Sequence, residues 1–142
     1  MSLVRHNLSP ACFNGNDIMR LIVAGSRSIE NYKVVCQAID DLVNQGMSIS
    51  AIIDGAAPGV DTLASRYAHE HRIENVRIPA DWKNLKKGAG KARNVEMAKM
   101  GDALLAIWDG RSAGTKHMIE TAQKRGLKVF VRKAIDGDAD ER

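Results

Sequence analysis

Ile49-Ser50-Ala51-Ile52-Ile53-Asp54-Gly55-Ala56-Ala57-Pro58-Gly59-Val60-Asp61 runs from an apolar segment through a glycine turn into a helical pattern. The residues before Asp54 have the length and β-branched content of a strand, and Leu63, Ala64, Tyr67 and Ala68 form a stripe at helical spacing behind the turn. A strand, a tight turn and a helix in that order make half of a βαβ unit. Such a junction suits an anion: N–H groups are free at a helix N-terminus, the dipole is positive there, and glycine admits a ligand close to the backbone. An ordinary βα turn that uses Gly and Pro for its shape explains the same residues. Asp61, in the first helical turn, either caps the helix or accepts from a ligand hydroxyl.

The same alternation recurs on both sides. Residues 20–24 are a charge followed by a continuous apolar run, the pattern of a strand buried on both faces of a parallel sheet, and they end in Gly25-Ser26-Arg27-Ser28. Val34, Val35, Ala38, Ile39, Leu42 and Val43 then recur at helical spacing until Gly46. Downstream, residues 75–79 read as a third strand, 80–92 as a long loop, 93–100 as a short helix and 103–108 as a fourth strand. The turn at residues 109–115 opens a helix with Met118, Ile119 and Ala122 inward, Gly126 ends it, and residues 127–131 read as a fifth strand. The expected fold is α/β, a Rossmann-like three-layer α/β/α domain with a five-stranded parallel sheet in the order 3-2-1-4-5. In that order the chain switches direction across the sheet between strands one and four, and ligands bind beside the switch. Gly25-Ser26-Arg27, residues 55–61, the 80–92 loop with Arg93-Asn94, and residues 109–115 all leave that edge.

A chain of 142 residues, 44% hydrophobic and 27% charged, suits one domain. Residues 20–133 are expected to form it, with a flexible arm over 1–19 and an acidic tail over 134–142. No apolar run approaches the length of a membrane span, and no signal-peptide pattern opens the chain, so a soluble cytoplasmic protein is expected. Cys12 and Cys36 lack CxxC spacing, and His69 and His71 point to different helix faces, so no metal site is expected. No cofactor is indicated. The net charge is +4, and with the acidic tail set aside the segment 20–135 holds about +7. That sign suits an anionic partner.

The individual motifs carry alternatives. Neither GxGxxG nor GxxxxGK[ST] occurs, which argues against a standard dinucleotide site or P-loop. Ser26 and Arg27 offer a hydroxyl and a guanidinium fork to phosphate, or are surface residues after a strand. Gly110, Gly114 and Thr115 surround a second helix N-terminus with the same capacity for phosphate. Arg93 can pair with a phosphate and Asn94 can read a base edge or ribose, or both are solvated first-turn residues. Asp81-Trp82 offers a carboxylate and a stacking face, or Trp82 closes the loop over the core. Trp108 reads as packing, and His117 as a weak candidate base.

Gly25-Ser26-Arg27, the 54–61 turn, Pro79-Ala80-Asp81-Trp82, Ala89-Gly90-Lys91-Ala92-Arg93-Asn94 and Asp109-Gly110 with Gly114-Thr115 resemble the DUF2493 group, the YspA or cpYpsA-related SLOG family. The resemblance spans residues 20–131, with the motifs in order. It implies a Rossmann-like fold whose loops bind a nucleotide or nucleotide-derived ligand, often in phage-conflict or nucleotide-signalling settings, and a possible homodimer. The wider superfamily includes the LOG phosphoribohydrolases and the single-strand DNA loader DprA. LOG enzymes carry PGGxGTxxE, whose glutamate position is Met118 here, so catalysis of that type lacks its carboxylate; Asp54, Asp61 or Asp81 would have to replace it. Arg93 is the residue most like the superfamily's functional arginine.

Three functions follow as expectations. The first is binding of a nucleotide-like small molecule by Gly25, Ser26, Arg27, Gly55, Gly59, Gly110, Gly114 and Thr115 around the phosphate, with Arg93 and Asn94 as anchors and Asp61 on a sugar hydroxyl. The second is an N-glycosidase or phosphohydrolase using Asp81, Asp61 or Arg93. The third is single-stranded nucleic-acid binding along Lys83, Lys86, Lys87 and Lys91 with Trp82 stacking. Aromatic residues at 4% argue against a long stacking platform.

Overall fold

The computed structural model describes residues 4–6 and 18–134. In chain order the elements are β1 (Val4–His6), β2 (Ile18–Gly25), α1 (Tyr32–Asn44), β3 (Ser48–Asp54), α2 (Val60–Glu70), β4 (Glu74–Arg77), α3 (Trp82–Leu85), α4 (Ala89–Met100), β5 (Ala103–Trp108), α5 (Ala113–Lys124) and β6 (Lys128–Lys133). They build a six-stranded sheet in the order β1-β6-β5-β2-β3-β4. The five parallel strands follow the expected 3-2-1-4-5 order of a Rossmann-like fold, with β2 at the centre between β3 and β5.

Period-two alternation in the central strands separates the layers. Leu21 and Val23 of β2, Ile52 of β3 and Leu105 and Ile107 of β5 enter one core with α1 and α2. Their neighbours Ile22, Ala24, Ile53, Leu104 and Ala106 enter a second core with α4 and α5. Continuous apolar runs are therefore required in these strands, because both faces are covered. The helix ends follow local chemistry. Asn31 caps α1 by accepting from Lys33 N at 2.9 Å, and Gly46 adopts φ 108° just beyond its end.

Two expectations need correction. Within the arm expected over residues 1–19, Val4–His6 form an antiparallel edge strand registered Val4↔Val131, Arg5↔Phe130 and His6↔Val129. β2 also begins at Ile18 instead of Arg20. A strand of three residues is too short for periodicity to mark it; only its pairing with β6 defines it. The remainder of the arm, with Cys12, and the tail from residue 135 onward lie outside the described residues.

The long loop expected over residues 80–92 is mostly helical. Asp81 caps α3 by accepting from Asn84 N at 3.2 Å, a 3-10 turn spans Lys86–Gly88, and α4 starts at Ala89 instead of Arg93. Gly88 and Gly90 suggested a loop, but lysine is a good helix former and the fully buried Ala89 anchors the start of α4.

Glycines of the strand ends separate into two kinds. A Cβ on Gly59, which adopts φ +81°, would lie 2.6 Å from the backbone oxygens of Ser26 and Arg27, whereas one on Gly114 would meet no atom within 4 Å. Gly59→Ala is therefore expected to cost about 2–4 kcal/mol in urea denaturation. Gly114→Ala is expected to leave stability unchanged or to raise it by up to about 1 kcal/mol. Equal losses at both positions would contradict this assignment.

Candidate functional site

Where the chain switches direction, Ser26 joins the ends of β2 and β5. Its N–H donates to Ile107 O at 3.1 Å, and its Oγ accepts from Asp109 N at 3.0 Å. Its carbonyl accepts from Val60 N at 3.4 Å, which seats the start of α2 against the same point. Gly25 allows this close approach, since a Cβ there would collide with Ile107 O and with Val60. In front of this junction opens a cleft of about 550 Å3.

Eight of the expected ligand-binding residues line the cleft: Gly25, Ser26, Arg27, Asp61, Arg93, Asn94, Gly114 and Thr115. Gly55, Gly59 and Gly110 stand outside the lining. Gly55 packs instead on Arg93 and Asp61, Gly59 on the Ser26–Arg27 backbone, and Gly110 beside Lys133. Asp81 is also absent from the lining, and its carboxylate oxygens accept from Asn84 N and, at 3.0 Å, from Asn84 Nδ2. Met118, where LOG enzymes place glutamate, is buried in the second core.

The 54–61 turn offers fewer donors to an anion than its glycines suggested. Gly55 N donates to Asp61 Oδ2 at 3.0 Å, Ala57 N to the same oxygen at 3.4 Å, and Ala56 N to Asp54 Oδ1 at 2.8 Å. Asp54 is fully buried; it also accepts from Arg77 Nε at 3.0 Å and Asn75 Nδ2 at 2.9 Å, which locks the turn to β4. The N-terminus of α5 differs. Ser112 caps it by accepting from Thr115 N at 3.3 Å, and among the described residues Ala113 N and Gly114 N have no partner. Those two residues line the cleft, as do Lys87 and Lys91. The unpaired backbone donors beside the cleft therefore lie at the N-terminus of α5.

Asp109 supports that helix start. Its Oδ1 accepts from Arg111 N at 2.7 Å and Ser112 N at 2.8 Å, and these bonds hold its carboxyl below the usual carboxylate range. Trp108, expected to pack, does pack against the second core, and its Nε1 donates to Ser112 O at 3.1 Å. Trp82 is 52% exposed and lines the cleft, so its ring is an open face there and does not close over the core.

A chain of directed hydrogen bonds crosses the cleft wall. Arginine has only donors, so Arg93 Nε donates to Asn94 Oδ1 at 3.1 Å, while Arg93 Nη1 donates to Gly55 O. The Asn94 amide nitrogen then faces Gly114 O at 3.2 Å and His117 Nδ1 at 3.1 Å. Accepting there places the neutral imidazole proton on Nε2, toward Thr121 Oγ1 at 3.4 Å. Burial, with Lys91 nearby, also lowers the His117 pKa. His117 is thus held neutral with both ring nitrogens engaged, which does not suit a general base. Asn94→Asp should raise the His117 pKa by about one unit or more in an NMR titration, by setting a carboxylate against Nδ1. An unchanged titration would show that the contact does not fix the proton.

Asp61 is 4% exposed, and burial, reinforced by the charge of Asp54, pushes its carboxyl up to about 6. The N–H groups of Ala57 and Gly55 and the guanidinium of Arg93 pull it the other way. Because the folded value exceeds the ordinary 3.8, the protonated carboxyl stabilises the fold fully below about pH 3.8, and that contribution is lost as the pH rises through 6. The difference corresponds to roughly 3 kcal/mol. Asp61→Asn keeps an acceptor for the turn and is expected to melt several degrees above the wild type at pH 7.5, with the gap narrowing toward pH 4.5. A gap independent of pH would show that Asp61 does not titrate in this range.

A parallel sheet with both faces covered and a cleft at its switch point define a Rossmann-like α/β domain built to hold a ligand at the strand ends. The chain belongs to the YspA, cpYpsA-related SLOG family, whose model matches residues 19–85. It is similar to "Gene 61 protein" of Mycobacterium phage D29, at 35% identity over 117 residues that cover 78% of this chain and 94% of that protein. No solved structure gives a significant match. The family match ends before Arg93, Asn94, Gly114 and Thr115, so that half of the site rests on geometry. Among the described residues no helix is long and apolar enough to cross a membrane.

Proposed function

We propose that the cleft binds a phosphorylated nucleoside, with its phosphate at the N-terminus of α5 and its base against the face of Trp82. The observation that carries this reading is the pair of unpartnered N–H groups of Ala113 and Gly114, in a cleft that also gathers Arg27, Lys87 and Lys91. Membership of the SLOG family points the same way at a coarse level, toward a nucleotide-related ligand. A single-stranded nucleic-acid track is favoured less, because Trp82, Lys87 and Lys91 line the cleft and only Lys83 and Lys86 remain outside it. A hydrolytic role would fall to Asp61, since Asp81 caps α3 and Met118 is core.

A thermal-shift screen of nucleoside mono- and diphosphates, ADP-ribose and short cyclic and linear oligonucleotides tests this. A binding nucleotide at 100 times its Kd should stabilise the wild type by about 2.7 kcal/mol, and Arg27→Ala and Lys91→Ala should lose most of that shift. Both side chains are exposed, so these variants leave the fold intact. Chromatography of the hits separates binding, with nucleotide recovered intact, from turnover. Silence from every small nucleotide, together with salt-sensitive oligonucleotide binding, would overturn the proposal.

A further inference from the structure

We infer, resting on the nucleotide reading of the cleft, that Asp61 is its sugar-reading group and selects ligands with a 2′,3′ cis-diol, ribonucleotides over their deoxy counterparts. Asp61 is almost wholly buried yet lines the cleft. Its Oδ2 is held by the N–H groups of Gly55 and Ala57, while Oδ1 has no partner among the described residues. One carboxylate oxygen is thus fixed in direction by the turn, and the other is left for a ligand.

The surroundings specify what kind of ligand group that is. Asp61 and Arg93 meet over Gly55: a Cβ added there would lie 2.8 Å from Asp61 Oδ2 and would press on Arg93 Nη1. With a guanidinium already compensating the carboxylate, a metal cation is repelled, and a phosphate is repelled by the carboxylate itself. A neutral hydrogen-bond donor fits both. The cationic side chains of the wall are the donors Arg27, Lys87 and Lys91 beside Arg93, and the N–H groups of α5 add to them. The wall's other carboxylate, Asp109, is less buried and holds the turn before α5 through its Oδ1. Asp54, at the strand end where dinucleotide folds often hold a ribose, has both oxygens taken by Ala56, Asn75 and Arg77. Of the two carboxylates in the wall, Asp61 is therefore the nearly buried one with an oxygen left to accept from a ligand. A carboxylate oxygen accepts two hydrogen bonds, which matches the two adjacent hydroxyls of a ribose. A site built around a hydroxyl discriminates against the analogue that lacks it, because its acceptor then loses that partner.

Calorimetric titration of the wild type with the four ribonucleoside 5′-monophosphates and their 2′-deoxy and 2′,3′-dideoxy forms tests this without any variant. Affinity should fall in the order ribo, deoxy, dideoxy, with the dideoxy form about tenfold or more weaker than the ribo form. In Asp61→Asn, checked for folding by circular dichroism, the ribo form should weaken and the ratio should shrink to about twofold. Equal binding of ribo and dideoxy forms by the wild type would overturn the role of Asp61 while leaving the cleft a nucleotide site. Full discrimination retained in Asp61→Asn would assign the selection to another group. No binding by these nucleotides or by any other small nucleotide of the thermal-shift screen would overturn the inference together with the reading beneath it.

Discussion

Ser26, 1% exposed, makes four hydrogen bonds that join three separate stretches of chain: to Ile107 O, from Ile29 N, from Val60 N and from Asp109 N. Each of these groups would otherwise be a buried backbone donor or acceptor without a partner, at a cost of about 1–3 kcal/mol apiece. The serine satisfies them together because its peptide and its hydroxyl point in different directions. That arrangement needs the absence of a side chain at Gly25 and at Gly59, where the backbones come closest. The walls of the cleft are held in register by this knot, and the side chains that face the cleft are aimed from a fixed frame.

Asp61 stands on that frame at a thermodynamic disadvantage. A carboxylate 4% exposed loses hydration, and neither the two N–H groups of its turn nor Arg93 restores it fully, so its acid form is favoured. The Arg93–Asn94–His117 chain differs in kind. Its direction is set by the one member that has no acceptor to offer, Arg93. Asp61 keeps one oxygen without a hydrogen-bond partner among the described residues, whereas the chain braces α4 against α5.

Most of the fold was legible because it depends on periods. Ile22 and Val23 sit in opposite cores simply by being adjacent in a strand, and the apolar runs of β2, β3 and β5 are what two covered faces demand. Gly46 and the stripe of α1 marked a helix and its end for equally local reasons. Val4–His6 were not legible, since nothing in the three residues shows that β6 lies beside them. Gly88 and Gly90 misled because glycine also occurs where a helix starts tightly. The glycines of the site had the same ambiguity: Gly59 and Gly114 look alike in sequence, yet one avoids a collision with a carbonyl and the other faces open space. The sequence marks Asp61 as a capping or ligand group, but only the fold shows it buried, with one oxygen engaged by its own turn. Lys87 and Lys91 were noticed as charge, and only the helices that carry them aim them into the cleft.

The antiparallel pairing of β1 with β6 also bears on how copies of this chain can meet. An edge strand offers unpaired N–H and C=O groups to any other strand; β1 covers Val129–Val131 of β6 and is itself the margin, three residues long. The opposite margin is β4, four residues long, with exposed Glu74 and Arg77 at its ends and Arg77 tied back to Asp54. Short length and charge are the features by which natural sheets discourage sideways growth into fibres. With margins of three residues in β1 and four in β4, the sheet offers little length for pairing with a strand of another copy.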